Sequence, residues 1–171
     1  MPEAPEPLAL ELHDLDDTRR LASSVAAALP AGSLLVLSGP LGAGKTTFTG
    51  LVAAALGSTA AVTSPTYTLV HEYPTPTGPL VHIDAYRLEG ATDLSALGLD
   101  DYLERSRLLV VEWGESLLDA YPEAFWLELG FPAKGSSGDP GVDELSSGRV
   151  ARWRRRHALN GSPGPAADGT S

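Results

Sequence analysis

Apolar residues along the chain fall into short blocks that switch between strand and helix spacing. Leu8–Leu12 alternates apolar and polar positions, the pattern of a strand buried on one face. Leu21, Val25 and Leu29 then recur at helical spacing, so a helix is expected from the aspartates at 14–17 to about Leu29. Asp14 or Asp16 is a suitable N-cap, and Pro30 and Gly32 end the helix. SLLVLS (Ser33–Ser38) is long enough for a buried strand, and TTFTGLVAAAL (Thr46–Leu56) reads as a helix stopped at Gly57.

Further strands are expected at Thr68–Tyr73 and Leu80–Asp84, joined by the turn PTPTGP. A helix over Ala91–Arg105 should break at Gly98. LLVVE (Leu108–Glu112) is apolar without alternation, as in a parallel strand covered on both faces. Phe125–Phe131 and Gly148–His157 complete the set, separated by a Gly/Ser/Asp/Pro-rich hairpin loop over 132–147. This order predicts an α/β fold with a mainly parallel central sheet, flanking helices and a C-terminal antiparallel strand pair. Residues 1–157 are expected to form one domain, with 1–7 a loose leader. Residues 158–171, which lack core-forming side chains beyond a few small or isolated ones, are expected to be a disordered tail. No internal repeat is visible.

Composition narrows the function. No apolar run approaches ~18 residues, so no membrane-spanning helix is expected. The acidic, proline-rich start MPEAPEPLAL lacks the basic and apolar regions of a secretory signal. Cysteine is absent, which fits a reducing cytoplasm and removes thiol chemistry and cysteine-based zinc sites. A net charge of −10 argues against broad, non-specific nucleic-acid binding, so any RNA contact is expected to be indirect or weak. The local exception is RVARWRRRH (Arg149–His157), where alternation puts Arg152, Arg154 and Arg156 on one strand face. That face is either an RNA- or phosphate-contacting patch or, as edge-strand logic favours, a charged edge kept solvated and unpaired.

The candidate chemistry centres on GPLGAGKT (residues 39–46), which fits G-x-x-x-x-G-K-[ST] at every fixed position and lies between a strand and a helix. Of only two lysines in the chain, Lys45 sits here and Lys134 elsewhere. Gly42 and Gly44 allow positive φ, so backbone N–H groups can wrap a phosphate chain beside a helix N-terminus. Lys45 is expected to reach the β- and γ-phosphates and the Thr46 hydroxyl to coordinate Mg²⁺. Two carboxylates, Asp84 in HIDAYR and Glu112 in VVEWGE, stand at the ends of expected strands, where ligands bind in open α/β sheets. One would serve the metal and the other would orient or deprotonate a water.

Other residues keep two readings. The hydroxyl-rich Thr63–Thr68 segment is either a nucleotide-sensing switch or an ordinary turn. Arg87 either pairs with Asp84 or Glu89 or neutralises a phosphoryl group, structural pairing being favoured. Trp113 either stacks near the nucleotide or packs in the core. His71 and His82 lack metal-ligand spacing and are not assigned as ligands. No N-K-x-D guanine-reading motif is present, so ATP is the expected nucleotide.

GPLGAGKTTF, SPTYTLVHEY, HIDAYRL and VVEWGE, in this order and spacing, together resemble the TsaE (YjeE) family, from about residue 8 to 131 and most densely over 39–115. The resemblance implies a P-loop NTPase-like fold and a cytoplasmic, Mg²⁺-dependent ATPase of tRNA threonylcarbamoyladenosine formation. It implies TsaD and TsaB as partners, with weak hydrolysis alone and ATP turnover that resets their complex rather than performing the transfer. It carries Gly42, Ala43, Gly44, Lys45, Thr46 and Thr47 over as ATP/ADP-binding, and Thr46 and Glu112 as Mg²⁺ ligands. Asp84 carries over as a hydrolysis-site carboxylate beside Glu112, Trp113 as an active-site neighbour, Thr66 as part of the switch-like segment and Asp14 as lying by the base. Pro40 stands where the family often has Asp, and Gly114 where Pro is common, a change expected to loosen that turn. A small-molecule P-loop kinase and a nucleotide-gated binding module are the competing readings.

Overall fold

The computed structural model describes residues 8–62, 69–88, 91–133 and 148–155, with backbone alone at residue 91. The leader 1–7, Thr66 with the rest of 63–68, most of the 132–147 loop and the tail lie outside the described residues. The elements are β1 (Ala9–Leu12), α1 (Leu15–Ala28), β2 (Ser33–Ser38), α2 (Lys45–Ala55), β3 (Val70–Tyr73), β4 (Leu80–Asp84), α3 (Ala91–Ala96), α4 (Leu99–Arg105), β5 (Leu108–Glu112), a 3-10 turn (Glu115–Leu117), β6 (Phe125–Gly130) and β7 (Arg149–Arg155).

Local signals explain most boundaries. Asp14 is the N-cap of α1: its backbone is extended and its side chain accepts the Asp17 N–H at 2.9 Å. Leu21 and Val25 turn inward, and Leu29 follows them into the core as the chain leaves the helix. The expected break between α3 and α4 falls at Gly98, whose φ of 78° no β-branched residue would adopt readily.

The seven strands form one sheet in the order β1-β7-β6-β2-β5-β4-β3. β6, β2, β5 and β4 are parallel neighbours. β3 pairs antiparallel with β4 at one edge, and β7 and β1 add antiparallel pairings at the other. The sheet is therefore mixed, which corrects the expectation of a mainly parallel one. The PTPTGP link is too short for a parallel crossover, so β3 must return antiparallel. β1 does not enter the parallel core but closes on β7, adding an antiparallel pairing that local sequence does not announce. The expected C-terminal antiparallel pair is present as β6 and β7, with a register shift between Trp126 and Leu127 that interrupts the arginine alternation in β7.

Alternate strand residues feed two cores. Leu35, Leu37, Leu108 and Val110 pack with Leu21, Val25, Phe48 and Val52 of α1 and α2. Val36, Val81, Ile83, Leu109 and Val111 pack with Leu94, Leu99 and Leu117 on the opposite face. Burial of each such side chain stabilises by about 1.5–3 kcal/mol, so residues 108–111 firmly anchor the strand that carries Glu112.

Candidate functional site

The loop at 39–46 leaves β2 and enters α2. Gly39 has φ 132°, and a Cβ there would collide with the Leu129 carbonyl oxygen of β6, so glycine is required on both counts. Gly42 and Gly44 have φ 79° and 97°, and a Cβ on either would meet open space. Backbone direction, not crowding, explains these two residues. Gly44 caps α2 without a side-chain bond. The first N–H groups of the helix are thus aimed at the loop without intrahelical partners, an arrangement suited to an anion.

Lys45 is 5% exposed. Its Nζ donates to the carbonyls of Gly39 at 2.7 Å and Pro40 at 3.0 Å and lies 4.3 Å from the Trp113 ring centroid. Burial pushes the ammonium below the usual lysine range, while the Glu112, Asp84 and Glu115 carboxylates pull the other way.

Both strand-end carboxylates stand where the sequence placed them. Parallel pairing brings Leu37, Glu112 and Asp84 into one row across β2, β5 and β4, at the carboxyl ends of these strands. The Thr46 hydroxyl donates to Glu112 Oε1 at 3.0 Å, joining α2 to β5. The Asp84 Oδ1 accepts the Tyr86 N–H at 3.0 Å, which shapes the turn after β4. Thr46 and Glu112 are adjacent hard-oxygen donors, and among the described residues no cluster of three or more acidic or histidine side chains forms a metal cage. That donor set fits Mg²⁺, which binds through one or two protein groups and substrate phosphates.

Trp113 is the only non-glycine with positive φ among the described residues, at 59°. Its N–H donates to the Leu37 carbonyl at 3.0 Å, and its ring lies 5.1 Å from that of Tyr86. The left-handed backbone swings the indole out of the strand and over Lys45, so Trp113 is a wall of the site rather than only a core residue. The next residue, Gly114, is not loosely held: a Cβ there would lie 2.7 Å from Val111 Cγ1.

These groups enclose a cavity of about 480 Å³ lined by Leu41, Gly42, Gly44, Lys45, Thr46, Thr47, Asp84, Arg87, Glu112 and Trp113, among others. A second cavity, of about 220 Å³, lies against the same loop. It shares Gly44 and Thr47 with the first and adds Asp14, Thr18, Ala43 and Arg149, with apolar walls from Leu12, Leu15 and Leu129. Every predicted site residue within the described residues therefore borders one or both cavities. Arg87 faces the larger one, and among the described residues no ion pair joins it to Asp84.

Two residues of this region were not assigned to the site from the sequence. Arg149 places its guanidinium 4.6 Å from the Phe131 ring centroid and donates to the Gly42 carbonyl at 3.5 Å. By contrast, Arg152 and Arg154 both approach Glu128 Oε1, at 3.7 and 2.9 Å. Separating the first arginine of RVARWRRR from the rest needs the β1-β7-β6 pairing, which local sequence does not supply. The other residue is His82, completely buried, whose Nε2 lies 2.9 Å from Glu112 Oε1. Its Nδ1 has no hydrogen-bond partner among the described residues. Leaving such a group unmatched costs about 1–3 kcal/mol. A polar residue in an otherwise apolar strand, two before Asp84, was the available signal.

Comparison with known proteins agrees with this geometry. The family model described as "Threonylcarbamoyl adenosine biosynthesis protein TsaE" matches residues 12–135. The protein named tRNA threonylcarbamoyladenosine biosynthesis protein TsaE from Bacillus subtilis is 41% identical over 108 residues, covering 63% of this chain and 67% of its own. Its namesake from Streptomyces coelicolor is 46% identical over 108 residues, covering 61% of this chain and 72% of its own. The crystal structure of Bacillus subtilis YdiB superposes with a TM-score of 0.66 at 27% identity, covering 88% of this chain and 86% of that one. The glycine loop, the row of strand-end carboxylates and these similarities converge: the chain belongs to the TsaE family, which takes part in tRNA threonylcarbamoyladenosine biosynthesis.

Proposed function

We infer that the protein is a Mg²⁺-dependent ATPase that works in the cytoplasm with TsaD- and TsaB-type proteins. Its ATP turnover would support repeated cycles of tRNA threonylcarbamoyladenosine formation. The observation that carries this reading is the hydrogen bond between Thr46 and Glu112, which unites the start of the glycine-loop helix with a strand-end carboxylate. A loop that merely capped a helix would not need a carboxylate held beside its last residue.

In this reading the backbone N–H groups of 42–47 bind the phosphate chain, and Lys45 exchanges its carbonyl partners for phosphate oxygens. Thr46 and Glu112 would hold Mg²⁺, whose charge, when the ion is bound, offsets the charge developing on the phosphates. Asp84 orients the attacking water and accepts its proton as the terminal phosphate leaves ADP. Trp113 and Tyr86 shield one side of the cavity from solvent. Asp14 and Arg149 border the smaller cavity, whose apolar walls suit the base.

The test measures phosphate release from Mg²⁺–ATP by the purified protein, alone and with a TsaD–TsaB-type complex, together with repeated tRNA modification cycles. Slow hydrolysis alone and partner-dependent cycling are expected. Absence of both Mg²⁺–ATP binding and support for cycling overturns the reading. Transfer of labelled γ-phosphate to a small metabolite instead of water replaces it with a kinase.

A further inference from the structure

We propose that His82 is a positioning residue for Glu112: its Nε2–H holds one carboxylate oxygen in place so that the other is presented to the cation bound with the nucleotide. This rests on the reading of Glu112 as a cation-facing group. It concerns a histidine that has no contact of its own with the cavity.

The placement of His82 is the first observation. It sits in the middle of β4, where Leu80, Val81 and Ile83 are also completely buried. A leucine or valine would suit that position at no polar cost. The histidine gives no packing reason for its ring nitrogens, because Nδ1 finds no partner among the described residues. The bond to Glu112 is what remains to explain it.

Direction is the second observation. An ionised carboxylate only accepts, so Nε2 carries the hydrogen and donates to Oε1 at 2.9 Å. The Thr46 hydroxyl reaches the same oxygen at 3.0 Å. Donors from β4 and α2 therefore converge on Oε1, while Oε2 receives no hydrogen bond among the described residues. Glu112 lines the larger cavity. Two fixed donors on one oxygen remove the rotamer freedom of a long side chain and leave its second oxygen available. Loss of such a supporting bond typically weakens cation binding about 10–100-fold.

The test compares the wild-type chain with His82→Leu, which keeps an apolar volume, and His82→Gln, which returns an amide donor near the place of Nε2. The affinity for a fluorescent ADP analogue is measured as a function of Mg²⁺ concentration. Without Mg²⁺ all three proteins should bind the analogue alike. The Mg²⁺ concentration needed for half of the cation-dependent tightening should rise about 10–100-fold in His82→Leu. It should return most of the way in His82→Gln. An unchanged Mg²⁺ requirement in folded His82→Leu, or equal losses in both variants, overturns the positioning role while leaving the functional reading intact. A wild-type protein whose affinity ignores Mg²⁺ overturns both. If His82→Leu does not fold, imidazole nitrogen NMR of the wild-type chain decides: an Nε2–H tautomer that responds to Mg²⁺–ADP is expected, and an Nδ1–H tautomer overturns the inference.

Discussion

Thr46 and Glu112 meet through a 3.0 Å hydrogen bond although they lie 66 positions apart in the chain. The meeting follows from topology: α2 begins just beyond β2, and β5 runs parallel to β2 with Leu37 opposite Glu112. A hydroxyl at the head of a helix and a carboxylate at the end of a neighbouring strand are thereby fixed on the same rim.

Glu112→Gln and Asp84→Asn should separate binding from chemistry. Each is nearly isosteric and removes a charge from the larger cavity. We expect hydrolysis to fall by roughly 10²–10⁴-fold in each. Mg²⁺-free ADP binding should change by less than about 3-fold. Single-turnover phosphate release and equilibrium titration check this, and equal losses in both quantities would refute the division of roles.

The smaller cavity predicts a different signature. Asp14 both caps α1 and borders that cavity, so Asp14→Ala would confuse two effects. Asp14→Ser retains a capping oxygen and removes the charge. It should leave the melting temperature within a few degrees while weakening ATP by about 3–30-fold. Arg149→Leu should weaken nucleotide similarly without altering the Mg²⁺ requirement.

Gly39→Ala and Gly114→Ala should destabilise the fold by about 1–3 kcal/mol or more, read by urea unfolding. Gly39 should be the more severe, because it combines a positive φ with a clash against the Leu129 backbone, which cannot rotate away. At Gly114 the obstacle is the Val111 side chain. The turn that glycine was expected to loosen is in fact closely packed.

Tyr121 supplies a test of pH dependence. Burial, then its hydrogen bond to Asp100 at 2.8 Å and the charge of that carboxylate, pushes the phenol up from 10.0 to about 12. The folded value lies above the unfolded one, so the fold favours the protonated phenol. Its contribution to stability is complete below pH 10.0 and is lost as pH rises through about 12. Tyrosinate absorbance should show a late-titrating phenol that disappears in Tyr121→Phe.

Much of the site was legible because its residues announce themselves locally. The glycine loop has a fixed pattern, and Asp84 and Glu112 each end an apolar run. Asp14 was readable as a cap, and Gly98 as a helix break. What escaped depends on pairings between distant strands. Arg149 reaches the loop only because β7 is inserted between β1 and β6. His82 meets Glu112 only because β4 and β5 are parallel neighbours in a particular register. The parallel character of the sheet was overestimated for the same reason, since edge pairing is not written in the period of any one strand.

The closure of β1 on β7 also bears on the order in which the protein can be completed. Ala9 pairs with Arg152, so the first described strand waits for the last before it gains its ladder. Asp14 follows β1 directly, and Arg149 opens β7. During synthesis the glycine loop, Thr46, Asp84 and Glu112 can therefore assemble on the inner strands while one wall of the smaller cavity is still being made. A long-range contact of this kind is slow to form. It makes the wall beside Asp14 conditional on β7: a chain lacking residues 149–155 would lose the β1 pairing and the Arg149 side of the smaller cavity.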